Sequence, residues 1–143
     1  TPITRYERKG DSMQPVKIVV RFLDGRVLKG QTQDLNPDRP TFHFHTEKGQ
    51  PIMQLNMKDI KALFFVKDFE GNKDYHERKE FAEGDLAQGK KVEITFIDGE
   101  TMQGSTTGYD PKRLGFFLIP TDPKGNNTRI FVVRAAVKAF RFL

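Results

Sequence analysis

The chain has 143 residues, thirteen phenylalanines, no cysteine, no tryptophan and a net charge of +5. No apolar run approaches the ~20 residues that cross a bilayer, and the absence of thiols excludes disulfides and thiolate metal sites, so a soluble, cytoplasmic protein is expected. The charge is segregated, +4 over residues 1–66, −3 over 67–89 and +4 over 90–143, which permits contact with phosphates without requiring it.

Residues 1–15 form a polar arm with Arg5, Arg8 and Lys9 around Tyr6. It has no hydrophobic period, nothing in it has the pattern of a signal peptide, and a frayed terminus is the expectation. Because the first residue is Thr1, a segment removed before it is also expected.

From Val16 the pattern becomes period two. Val16, Ile18, Val20 and Phe22 share one face of a strand, as in a half-buried sheet. Asp24-Gly25 then predicts a two-residue type I′ hairpin turn. The return strand, 26–35, carries Gly30 in its interior, which suits a bend where a sheet curls. A strand TFHFHTE follows with Phe42 and Phe44 on one face and His43 and His45 on the other. PIMQLNM and KALFFV complete five short antiparallel strands over residues 16–66.

Residues 67–89 read as a connector. Asp74 followed by Glu77 resembles a capping box, which predicts one or two helical turns over 75–82 ended near Gly84, with an extended linker as the alternative. Phe69, Tyr75, Phe81 and Leu86 make it too apolar for a free tether.

Residues 90–143 repeat the scheme. With a shift of 74 positions, Phe22, Asp24, Gly25, Gly30, Thr32, Pro37, Arg39 and Phe42 fall on Phe96, Asp98, Gly99, Gly104, Thr106, Pro111, Arg113 and Phe116. With three more residues allowed in a later turn, Lys61-Ala62 falls on Lys138-Ala139, so the whole unit reads as a duplication. The copies differ in one respect. Phe117 and Ile119 stand where the first unit has His43 and His45, and Phe131 and Val133 extend the apolar stripe on the next strand. Two strands apolar on both faces have to be covered, either by the first unit and the connector or by another subunit.

The V-x-[IV]-x-F-x-D-G strand, the bent glycine-containing second strand, the Phe-rich third strand and the closing [IV]-K-A resemble the Sm-like, SH3-like five-stranded small barrel. The strings from Phe64 to Gly71 and from Gly108 to Val132 are similar to an uncharacterised bacterial family of duplicated Sm-like domains, over about residues 14–143. The resemblance implies the fold. It does not carry over an RNA site, because the third loops read NPDRP and DPKRL and no Arg-Gly pair precedes the closing strand.

His43 and His45, with Glu47 next in phase, are the metal candidates. Three ligands on one straight strand span too far for one tetrahedral ion, so a polar outer face is the preferred reading and no metal or other cofactor is expected. No nucleophile–base or acid–base pair is evident, and an enzyme is not expected. The turn from Asp122 to Arg129 offers Lys124, Asn126, Asn127 and Arg129, with Arg113 nearby, as contacts for an anion or nucleic acid, against the alternative of a long hairpin turn that simply needs Gly and Asn.

The sequence thus predicts an all-β protein: an arm at 1–15, a first Sm-like barrel at 16–66, a connector at 67–89 and a second barrel at 90–143. The function expected is non-catalytic binding or scaffolding, through a protein partner or self-association at sheet edges and the face of Phe117, Ile119, Phe131 and Val133. RNA or nucleotide binding by basic loops is the alternative, and no membrane contact is expected.

Overall fold

The structure is a computed structural model that describes residues 6–9, 12–71, 74–82 and 84–143, with side chains from Val16 onward. It is all-β. The strands are β1 (Tyr6–Lys9), β2 (Ser12–Pro15), β3 (Lys17–Phe22), β4 (Val27–Gln31), β5 (Thr41–Thr46), β6 (Met53–Asn56), β7 (Ile60–Val66), β8 (Lys90–Phe96), β9 (Thr101–Thr106), β10 (Gly115–Pro120), β11 (Asn127–Val133) and β12 (Val137–Phe142). Single turns of 3-10 helix at Met57–Asp59 and Arg134–Ala136 lead into β7 and β12.

Ten strands form one antiparallel sheet in the order β12-β8-β9-β10-β11-β7-β3-β4-β5-β6. The expectation of two separate barrels is corrected in this respect: the sheet is open and continuous, because β11 hydrogen-bonds to β7 with Ile130 opposite Phe64 and Phe131 opposite Leu63. Within the ladder, residues 17–66 and 90–142 follow the same internal order, the fifth strand lying beside the first and the fourth at the far side.

Side chains alternate across a strand, so the two strands at this joint serve two cores. Leu63 and Phe65 of β7, with Phe131 and Val133 of β11, pack with Ile18, Val20, Phe42 and Phe44 of the first half. Ala62 and Phe64, with Ile130 and Val132, pack with Val92, Ile94, Phe96 and Leu118 of the second. Each fully buried aliphatic or aromatic side chain contributes about 1.5–3 kcal/mol by leaving water.

Three local expectations are corrected. The Asp24-Gly25 turn is not type I′, which needs positive φ at two successive residues; only Gly25 has it, at 94°. Gly25 N–H donates to Phe22 C=O at 3.1 Å and Phe22 N–H to Arg26 C=O at 2.9 Å, giving a three-residue loop. Asp24 accepts from Arg26 N–H at 2.9 Å, which holds the loop. The second half repeats this at Phe96, Asp98, Gly99 and Glu100.

The connector contains no helix among its described residues. Arg78 N–H donates to Asp122 and Phe81 N–H to Gln103, so groups that would close helical turns bond to the second half instead. In the arm, Tyr6–Lys9 pairs antiparallel with Ser12–Pro15 rather than fraying. A two-stranded ribbon needs only backbone pairing, which leaves no hydrophobic period to read. The part of the arm reading that rests on Arg5 lies outside the described residues.

Gly30 and Gly104 are required by close approach rather than by bending alone. A Cβ on Gly30 would run into the His45 carbonyl of β5, and one on Gly104 into the Leu118 side chain and Ile119 carbonyl of β10. Gly30→Ala is expected to cost about 1–3 kcal/mol in urea unfolding, as overpacking does, and Gly104→Ala somewhat less, because its Cβ would stand 2.6 Å from the Ile119 carbonyl oxygen, whereas that of Gly30 would stand closer still to the carbonyl oxygen of His45. A neutral Gly30→Ala would mean that β4 and β5 do not approach this closely.

Candidate binding surfaces at the joint

The apolar stripe singled out in the sequence lies at the joint. Phe131 is 0% and Val133 2% exposed, and both belong to the core of the first half. Phe117 packs against the same core, edge-on to Phe65 at 5.9 Å and to Phe131 at 5.1 Å between ring centroids. Ile119, half-buried, stands opposite Ser105 in the β9–β10 pair. The Arg129 guanidinium lies 4.3 Å from the Phe65 ring and 4.9 Å from that of Phe117, a cation–π arrangement that closes the stripe at its polar end. The first half therefore covers most of this surface.

The loop cations and amides do not converge on one point. Arg113 forms an ion pair with Asp38 of the first half at 3.3 Å. Asn126 holds the connector: its amide donates to Asp68 C=O at 2.8 Å and accepts from Asp68 N–H at 3.0 Å, while its own carbonyl accepts from Lys67 N–H at 2.8 Å. Asn127 donates to Glu77 at 3.4 Å. Lys124 is exposed, and its N–H donates to Asp122 at 3.0 Å.

His43 Nδ1–H donates to the Asp34 carboxylate at 2.7 Å on an exposed face, its backbone N–H also reaching Asp34 at 2.9 Å. His45 is half-buried, and no cluster of three His, Cys, Asp or Glu suited to a metal is present among the described residues.

Two residues that carried no functional signal in the sequence organise the joint. Lys61 is 8% exposed. It is the extra residue of a β-bulge, skipped between the pairs Arg21–Ala62 and Phe22–Ile60, and bulges re-aim side chains. Its ammonium reaches across to Asp98 at 2.7 Å and to Glu100, and lies 4.8 Å from the Phe96 ring. Burial lowers the Lys61 pKa, but hydrogen bonds to Asp98 and Glu100 outweigh it and hold the pKa above its ordinary value.

Asp122, the second, is the socket for the connector. One carboxylate oxygen accepts from the Tyr75 hydroxyl at 2.5 Å and from Arg78 N–H at 3.0 Å, and the other from Lys124 N–H. Beside it, Arg78 donates to Thr121 C=O at 2.8 Å and the Thr121 hydroxyl donates back to Arg78 C=O at 2.7 Å. The Tyr75 hydrogen bond, with Arg78 N–H, lowers the Asp122 pKa. Nearby Glu77 is pushed upward by burial and by the Asp122 charge.

A lowered folded-state pKa means that the Asp122 contribution is complete above the ordinary carboxylate value of about 3.9 and drains away as pH falls through the lower folded value. Glu77 has the opposite sign, its effect fading as pH rises through its raised folded value. The single oxygen of Asp122→Asn cannot replace both carboxylate acceptors. The difference in thermal midpoint between wild type and Asp122→Asn is expected to be largest above about pH 5 and to shrink as pH falls through the lowered folded value of Asp122. A gap that stays constant with pH would remove the carboxylate from this role.

No curated protein and no solved structure matches the chain. Residues 14–143 match DUF6982, a family of unknown function, and the chain belongs to that family.

Proposed function

We propose that the chain is a non-catalytic protein-interaction module made of two Sm-like five-stranded units, copied from one and fused edge to edge into one open sheet, with the free edge of β12 as its docking strand. The duplication is supported by local detail. Leu23 N–H donates to Asp59 C=O at 2.9 Å in the first half, as Ile97 N–H does to Ala136 C=O at 2.9 Å in the second. Lys138 is skipped between the pairs Val137–Phe96 and Ala139–Thr95, as Lys61 is in its own ladder.

The observation that carries the docking reading is the way the halves meet. The fourth strand of one half pairs with the fifth strand of the other, β11 with β7, and the counterparts of those strands, β6 and β12, lie at the two ends of the sheet. An unpaired edge offers backbone donors and acceptors to a further strand. The two ends are not alike. In β10–β11 the register places Phe117 opposite Phe131, whereas in β5–β6 the corresponding pair is His43 and Gln54. A strand docked on β6 would meet a polar side and gain little burial. On β12, Phe142 is 55% and Leu143 52% exposed. Leu143 N–H points inward to Lys91 C=O at 2.9 Å, so by alternation the N–H groups of Phe140 and Phe142 face outward.

The simplest occupant is β12 of a second copy, in a twofold antiparallel pairing, the commonest oligomer symmetry. Light scattering after size exclusion is expected to give twice the chain mass at high protein concentration. Phe142→Lys combined with Leu143→Lys, which places charge on the edge, is expected to restore the single-chain mass while the chain stays folded by far-UV circular dichroism. A wild-type chain that stays monomeric at every concentration would rule out self-association.

A further inference from the structure

An open cleft of about 840 Å³ lies over the joint, between the two halves and the connector. Its volume falls in the range of ligand sites, ~300–1,000 Å³. None of the residues picked out in the sequence as an interaction face lines it. Val19, Phe64 and Ile130, from three adjacent strands, supply apolar lining, and Phe69 of the connector adds a half-buried ring. Around these stand Arg21 and Lys29 from the first half, Lys67 and Lys79 from the connector and Lys124 from the second half. The Arg21 guanidinium lies 5.5 Å from the centroid of Phe64, and Lys17 lies 5.9 Å from that of Phe69.

The acidic groups of the cleft oppose this charge only in part. Glu100 is committed to Lys61, and Glu77 is held against Gly125 and Asn127. Asp68 and Glu70 remain on the connector side. The balance is cationic, and cations reach the cleft from all three parts of the chain.

We infer that this cleft binds single-stranded nucleic acid, its lysines and Arg21 tracking phosphates while bases stack against Phe69 and the Arg21–Phe64 pair. Unpaired bases expose flat faces that stack on aromatic rings and on guanidinium planes. A duplex would present only phosphates to these cations, with its base faces stacked away. An acidic peptide would satisfy the cations and leave the rings without a planar partner. The inference is independent of strand docking at β12, which lies at the far end of the sheet order from the first-half residues Arg21 and Lys29.

The test is fluorescence anisotropy of a labelled single-stranded RNA of about 10 nucleotides, within the site sizes of small β-barrel binders, titrated with the full chain at low and high salt. Affinity is expected to fall as salt rises, with a log–log slope of about −2 to −3.5, as release of roughly three to five counterions from a single strand requires. Arg21→Glu and Lys124→Glu, one from each half, are each expected to weaken binding by about tenfold or more. Lys112→Glu, the same charge change on an exposed turn outside the cleft, is expected to change it by less than about twofold. Phe69→Leu keeps an apolar side chain against the second half's core and removes the ring; a loss of about fivefold or more with an unchanged salt slope is expected, measured where the variant's melting curve shows it fully folded. Absence of binding at low salt, equal losses from Lys112→Glu and Arg21→Glu, or a Phe69→Leu variant that binds as wild type would each overturn the inference. Displacement of the RNA by poly-glutamate at equal charge would overturn it too, in favour of an acidic polypeptide.

Discussion

The β7–β11 ladder is the constraint on which the rest of the molecule depends. Each of these strands is apolar on both faces and would be an aggregation hazard alone, since exposed strand edges template further pairing. Paired, they satisfy one another's backbone groups and send alternate side chains into two cores. Phe131 completes the core of residues 17–66 and Phe64 that of residues 90–142. Neither half buries its hydrophobic set without the other, so the joint is continuous with both cores rather than a contact between finished units.

Polar groups around the joint fix what the apolar ladder leaves loose. Hydrophobic contact is non-directional, whereas Lys61 reaching Asp98 and Glu100 ties a bulge of one half to the hairpin loop of the other. The connector is tied down by the same means. Tyr75, Arg78 and Asp68 bond to Asp122, Thr121 and Asn126, which turns an acidic segment into one wall of a cleft. An acidic connector between basic halves reads as a spacer when only net charge is counted. Docked, Lys67 and Lys79 line the cleft alongside Asp68 and Glu70, while Glu77 bonds to Asn127 and Asp85 pairs with Arg78.

The asymmetry between the halves follows from the same ladder. The second half carries Phe117 and Phe131 where the first has His43 and Gln54, and among the described residues the second half's fourth strand is paired on both sides whereas β6 is paired on one. At one end of the sheet β6 carries Gln54 and Asn56. The charged residues of β12, Lys138 and Arg141, temper the other end without hiding Phe142 and Leu143.

Strand positions from Lys17 onward, the Asp-Gly loops and the inward faces were legible in the sequence, because period-two alternation and glycine placement are local consequences of backbone geometry. So was the need to cover Phe117, Phe131 and Val133, since two-faced apolarity is written in the residues themselves. The type of turn was not: Asp24 and Gly25 permit several loops, and the Phe22–Arg26 pair selects one. Nor was the connector's conformation, because its capping pattern is outweighed by bonds to Asp122 and Gln103, residues distant in sequence. The roles of Lys61 and Asp122 also arose only in three dimensions. A lysine in a strand and an aspartate in a turn are ordinary in sequence, and it is the pairing of β7 with β11 that brings their partners within hydrogen-bond reach. That pairing joins strands more than sixty residues apart, a distance over which no local pattern specifies a register.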